Sequence, residues 1–178
     1  MKAKLYSCLF FITSLFLISS TTTPIMKTDL IPTLDSTAFD FWLGKWNATW
    51  TENGVACHGT NTITKTMNDK FIHESFHILD GASKGFVGES FSVLDKADNT
   101  WKQTWIDSDG SYLDFTGAID GDTKIFERSY RNTQGKTLHQ RMRFYNIKKD
   151  SFMWDWEKSE DGKTWSLAWQ ISYTRMKN

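Results

Sequence analysis

The chain has 178 residues, enough for one domain and too few for two comfortable ones. Its 21 basic residues balance 21 acidic ones and form no cluster, which argues against nucleic acid or an anionic membrane surface as a partner. An aromatic share of 15% with nine tryptophans supplies large apolar area that serves either a core or a ligand wall.

In chain order, Lys2 and Lys4 precede an apolar run from Leu5 to Ile18, and small residues Ser19 to Thr23 follow it. That is the order of a secretory signal, predicted over residues 1–20 with cleavage between Ser19 and Thr23. The run is shorter than the roughly 20 residues a membrane-spanning helix needs, so no transmembrane anchor is expected after its removal. The protein is therefore expected to be exported, to the periplasm or the medium. A disordered lead-in is predicted over 21–35, and the folded domain over 36–178. Cys8 leaves with the signal and Cys57 remains, so an intramolecular disulfide is excluded and stability must come from the core. Losing Lys2 and Lys4 leaves 19 basic residues against 21 acidic.

The segment Asp35 to Leu43 is long enough for a turn or two of helix, predicted to cap one end of the domain. From Gly44 onward the pattern changes to period-two alternation. Strands are predicted at Lys45–Glu52, Val55–Thr66, Lys70–Leu79, Gly85–Asp95, Thr100–Asp107, Tyr112–Ile119, Thr123–Arg131, Thr137–Ile147, Phe152–Lys158 and Thr164–Arg175. Turn chemistry separates them, as at Asn53-Gly54, Asp80-Gly81, Asp109-Gly110, Asp120-Gly121 and Asp161-Gly162. Connections this short make an antiparallel meander, because parallel crossovers take a dozen or more residues. About ten such strands close into an up-and-down β-barrel, whose interior is either filled or holds one small ligand.

The third strand carries His73-Glu74-Ser75-Phe76-His77, a match to the H-E-x-x-H zinc-hydrolase pattern. That chemistry needs both histidines on one helical face. On a strand, residues four apart lie roughly 13 Å from each other, and Glu74 faces away from His73. The match is therefore read as accidental, and no metal is expected. If Ile72, Phe76 and Ile78 point inward, Glu74 goes with them; Val87, Phe91 and Val93 would carry Glu89 inward in the same way. A buried carboxylate needs a partner or a proton. Arg128, Arg141 and Arg143 are the candidates, with Arg141 preferred, either to anchor a ligand carboxylate or to form an internal ion pair.

A three-residue turn at Ser108-Asp109-Gly110 sets Trp105 opposite Leu113 and Gln103 opposite Phe115. A four-residue loop at Ser159 to Gly162 would pair Trp156 with Trp165 and Trp154 with Leu167, joining two tryptophan faces. The aromatic inward faces of Trp101, Gln103, Trp105, Phe115, Met142, Trp154, Trp156 and Trp169 are predicted to line a cavity, with Glu74 and Arg141 among its few polar groups. His139, alone in an alternating strand, is read as exposed or hydrogen-bonded, so no haem or other cofactor is expected. No Gly-x-Ser-x-Gly elbow occurs, and Cys57 and His58 are adjacent strand residues facing opposite ways.

The stretches Phe39 to Trp46, Gln103 to Asp107, Tyr112 to Gly117, Gln140-Arg141-Met142 and Asp161 to Arg175 resemble a bacterial family of uncharacterised lipocalin-like barrels, over nearly the whole mature chain. The resemblance implies the fold of lipocalins and fatty-acid-binding proteins, with an apolar cavity as a tendency of that group. It also implies that a first-strand Gly44 and Trp46 pair with a late basic residue, Arg175. Trp46 is accordingly expected beneath the capping segment with Arg175 over its ring. The leading reading is a binder of one small apolar or amphipathic molecule. A cavity acid–base enzyme using Glu74 with Arg141, a zinc hydrolase, and a structural barrel with a filled core are the alternatives.

Overall fold

The computed structural model describes residues 35–177; the predicted signal, and the predicted lead-in except for Asp35, lie outside them. After a single 3-10 turn at Asp40–Trp42 come ten strands: β1 (Gly44–Glu52), β2 (Val55–Thr66), β3 (Phe71–Ile78), β4 (Val87–Asp95), β5 (Thr100–Asp107), β6 (Tyr112–Asp120), β7 (Thr123–Arg131), β8 (Thr137–Lys148), β9 (Ser151–Ser159) and β10 (Ser166–Arg175). Each pairs antiparallel with its sequence neighbours, and β1 closes on β10 to complete the barrel. Among the described residues no helix is long and apolar enough to cross a membrane.

Turn chemistry sets the register where it was most legible. Asn53 and Gly54 both take positive φ, the two-residue hairpin turn whose twist matches its strands. Between β5 and β6, Trp105 lies opposite Leu113 and Gln103 opposite Phe115, as the Ser108-Asp109-Gly110 turn dictates.

The β9–β10 register differs from the expected one. Trp169, not Trp165, lies opposite Trp156, and Ile171, not Leu167, lies opposite Trp154. Two local causes account for this. The Asp161 carboxylate accepts the backbone N–H groups of Lys163 and Thr164 (2.8 and 2.7 Å), and Ser159 Oγ accepts that of Gly162 (2.9 Å), so the loop keeps residues through Trp165 out of the strand. A bulge between Leu167 and Trp169 then shifts the ladder again and leaves Leu167 on the outside, 56% exposed. The backbone N–H groups hold the Asp161 carboxyl down at about 2.

The interior divides into two halves. At the end reached by the starts of β1, β3, β5, β7 and β9, the cap drives Phe39 and Trp42 inside, where they meet Trp46, Trp101, Phe126, Phe144 and Phe152 in an almost dry aromatic core. Phe39 packs 4.6 Å from Phe126 and 4.9 Å from Trp101, and Trp46 packs 4.9 Å from Phe152, centroid to centroid. The Trp46 indole N–H donates to the Trp42 carbonyl at 2.7 Å, tying cap to barrel. Arg175 lies over the Trp46 ring at 4.1 Å, donates to the Leu43 carbonyl at 2.8 Å and reaches the Lys149 carbonyl at 2.8 and 3.0 Å. Gly44, at φ +128, leaves room for it: a Cβ there would sit 2.3 Å from Arg175 Nη1.

Trp46 is fully buried and joins the cap, Phe152 and Arg175. Trp46→Ala is expected to lower unfolding free energy by about 3 to 5 kcal/mol, the range for large aromatic truncations in cores. Urea denaturation followed by far-ultraviolet circular dichroism checks this, and an unchanged midpoint would remove Trp46 from that central role.

Candidate functional site

The half of the barrel beyond the cap is not filled. A cavity of about 200 Å³ occupies it, with Trp42 and Tyr173 toward the capped end and Phe86 and Leu113 toward the other. Its wall is Phe76 from β3, Trp105 from β5, Phe115 from β6, Met142 from β8, Trp154 and Trp156 from β9, and Trp169 and Ile171 from β10. Alternation puts all of these on inner faces, yet Trp105, Trp154, Trp156 and Trp169 stay partly exposed, so they face an accessible interior. The rings brace one another. Trp154 stacks on Trp156 at 6.4 Å, Trp169 stands edge-on to Trp154 at 5.7 Å, and Phe115 is edge-on to Trp156 at 5.9 Å.

Glu74 is the cavity's acidic residue and is only 6% exposed. Its Oε1 accepts from Asn61 Nδ2 and its Oε2 from Ser90 Oγ, each at 2.7 Å. Ser90 and Ser92 in turn receive Gln103 Nε2 at 3.4 and 3.0 Å, giving a buried polar row across β2 to β5. Burial pushes the Glu74 carboxyl up to about 7, against the lowering effect of the Ser90 and Asn61 hydrogen bonds and of His73. The nearby Tyr173 hydroxyl, also buried, is pushed upward by desolvation and by Glu74. The indole nitrogen of Trp42 has no hydrogen-bond partner among the described residues.

Several predicted site residues lie elsewhere. Arg141 is on the outer face of β8, where it pairs with Glu157 and covers the Trp165 ring at 4.0 Å. It does not meet Glu74, so the expected Glu74–Arg141 pair, as carboxylate anchor or as catalytic dyad, is corrected. Parity decides this: Met142 and Phe144 fill the interior, which turns Arg141 and Arg143 outward. Arg128 is the inward arginine of β7; Gln140 Oε1 holds it at 2.9 Å, and its guanidinium lies 4.7 Å over Tyr130 and 5.9 Å from the ring of Phe115, behind the cavity wall. Its Nε has no partner among the described residues, but it is not itself in the cavity lining. Glu89 also points outward, opposite Ser75, and pairs with His73. The inner face of β4 is instead Gly88, Ser90, Ser92 and Leu94, because the Trp105 ring lies where a side chain at Gly88 would go: a Cβ would sit 2.1 Å from it.

Trp101 and Gln103 are on the inner face but not on the cavity wall. Phe39 covers Trp101, whose indole donates to the Asp35 carbonyl at 3.3 Å, and the serines enclose Gln103. Gly44, Trp46 and Arg175 meet at the capped end, away from the cavity. His73 and His77 point outward from β3 while Glu74 points inward, so H-E-x-x-H cannot converge on one ion. His139 accepts or donates to Ser129 Oγ at 2.8 Å. Beyond the predicted site residues, the cavity takes Trp42, Phe76, Phe86, Leu113, Ile171 and Tyr173, and Asn61 and Ser90 hold Glu74. Asn61 shares the phase of Cys57 and Ile63 and could have been found by alternation; Trp42 and Phe86 lie outside the strands and carry no such signal.

No protein-family model matches the chain, and no curated protein sequence matches it. Among solved structures, the crystal structure of Rv2717c from M. tuberculosis is similar, at 14% identity and a TM-score of 0.53, over 84% of this chain and 100% of that one. This likeness concerns the fold, a barrel in both.

The raised Glu74 carboxyl has a signed consequence for stability. Between a carboxyl's ordinary 4.5 and about 7 the folded protein keeps a proton that the unfolded chain gives up. Stability therefore falls as pH rises through that window and levels off above it. The loss is on the order of 3 kcal/mol. Glu74→Gln is expected to abolish this component, so urea midpoints of the two proteins should converge at low pH and separate, with the variant more stable, above neutrality. A constant difference across the window would place the Glu74 carboxyl at its ordinary value.

Proposed function

We propose that this barrel, exported by the signal read at its amino terminus, binds one small apolar or amphipathic molecule in the tryptophan-walled cavity. The observation that carries this reading is the cavity itself: large rings from five strands face an accessible volume instead of closing on one another, and a single buried carboxyl interrupts them. Pockets for small molecules have this composition, apolar walls with few placed polar groups. The volume exceeds the about 150 Å³ cavity known to accept benzene. The resemblance to lipocalin-like barrels supports the same reading at the level of fold. An acid–base enzyme built on Glu74 and Arg141 loses its second member to the outer surface.

Tryptophan emission reports directly on the wall. Titration with neutral alcohols such as benzyl alcohol and hexanol is expected to shift it saturably. Leu113→Trp, at the half-buried rim, should narrow the cavity and weaken binding by about tenfold, equal to about 1.4 kcal/mol. Emission that stays unchanged, or drifts linearly without saturating, would favour a structural barrel.

A further inference from the structure

The charge inside the cavity is opposite to the one a fatty-acid carrier needs. Glu74 lines the cavity, and among the described residues no lysine, arginine or histidine does. Arg141 and Arg143 are both on the outer surface with Glu157, Arg175 is occupied at the capped end, and Arg128 is engaged by Gln140, with Asp114 at 3.8 Å. The partners of Glu74 are neutral: an amide and a hydroxyl, one on each oxygen. Each carboxylate oxygen accepts more than one hydrogen bond, so both retain capacity. A carboxylate buried without a cation is costly, and the missing positive charge is what a ligand can bring.

The wall favours the same charge. Five tryptophans and three phenylalanines surround the space, and their planes differ in direction: Trp154 and Trp156 are within 8° of parallel, while Trp169 is turned 88° to Trp154. Rings set at several angles around a common volume can offer π faces to a ligand, and a π face attracts an ammonium group. We propose that the cavity selects organic cations, taking a small alkyl- or arylammonium whose charged head pairs with the Glu74 carboxylate and whose carbon body lies against the tryptophans. This rests on the binding reading above and adds the sign of the ligand's charge. A ligand carboxylate would meet Glu74 with no cation between them, so acids are disfavoured.

Neutral donors also face this region. The Trp42 indole and the Tyr173 hydroxyl could serve an alcohol or carbonyl, and a neutral ligand is therefore the proper comparator. Cation binding depends on an ionised Glu74. The groups packed on it are Asn61 of β2, Ser90 of β4 and Tyr173 of β10, of which Tyr173 alone titrates and does so far above neutrality; His73 and Glu89 act from the outer face of the sheet.

Calorimetric titration with hexylammonium, hexanol and hexanoate, matched in carbon body and differing in head charge, tests the proposal. At about pH 8, hexylammonium is expected to bind about tenfold tighter than hexanol, with hexanoate weakest. At about pH 5.5 a protonated Glu74 should erase the ammonium's advantage while hexanol binding persists. Glu74→Gln should do the same at every pH, and the wild-type pH comparison carries the test even if that variant fails to fold. Hexanol or hexanoate binding as tightly as the ammonium at about pH 8, or an ammonium preference undiminished at about pH 5.5, overturns the pairing of the cation with Glu74 and leaves the binding reading standing. No binding by any of the three overturns the binding reading itself.

Discussion

The seam between β1 and β10 is the constraint on which the rest of this barrel depends. It pairs only Trp46–Thr49 with Ser172–Arg175, and without it the first and last strands would be edges open to association. Backbone hydrogen bonds over so short a ladder are weak closure by themselves. Side chains reinforce it. Trp46 and Arg175 are direct cross-strand partners at the seam's capped end, where the guanidinium covers the indole and its N–H groups reach carbonyls of the cap and of the β8–β9 turn. A lysine could cover the ring but could not hold two carbonyls on separate elements with one rigid fork. One residue thus connects the seam, the cap and the neighbouring β8–β9 turn.

The cap then determines where the cavity lies. A ten-stranded barrel encloses more space than its own inward side chains fill. Phe39 and Trp42 occupy the half nearest the seam and turn it into core, leaving the far half to the tryptophans. The boundary between filled and open halves falls at the level of Glu74, Tyr173 and Trp42, so the polar groups sit at the base of the open half instead of its rim. A carboxyl at the base is desolvated by the core beneath it, which is why its proton affinity rises to around neutrality. Architecture and acidity are linked through the cap by burial, since the Glu74 hydrogen bonds come from Asn61 and Ser90 of the barrel.

Much of this was legible in the sequence, in a pattern that follows from physics. Strand number, meander topology and the β5–β6 register are local properties, encoded by alternation and by turns such as Asp109-Gly110. The phase of β4 was misread because Val87, Phe91 and Val93 outweigh Gly88, Ser90 and Ser92 on any hydrophobicity count. The Trp105 ring on the neighbouring strand lies over position 88, diagonal to its own partner Ser90, and leaves room there only for a glycine, which no local count contains. Trp165 was placed inside because its spacing matched Trp169. The Asp161 loop and the bulge that move it out are hydrogen-bonding and register effects invisible to periodicity. Arg141 was preferred over Arg128 although parity with the buried Met142 could have turned it outward.

That last error changes the chemistry and not only the geometry. With an arginine inside, the cavity would be an anion site and Glu74 its internal counter-ion, satisfied before any ligand arrived. With Arg141 and Arg143 outside and Arg128 held by Gln140 off the cavity lining, Glu74 is held by neutral donors in an aromatic enclosure, and on the proposed reading its ionisation sets what the cavity accepts. Asn61 and Ser90 soften the cost of ionisation without cancelling it, so the carboxyl stays poised where a modest favourable interaction tips it. A positively charged ligand supplies that interaction by depressing the carboxyl's pKa on binding, and by linkage its affinity falls when the carboxyl is protonated. The proposed selectivity thus traces to the direction in which the arginines of β8 point, a consequence of burying Met142 and Phe144.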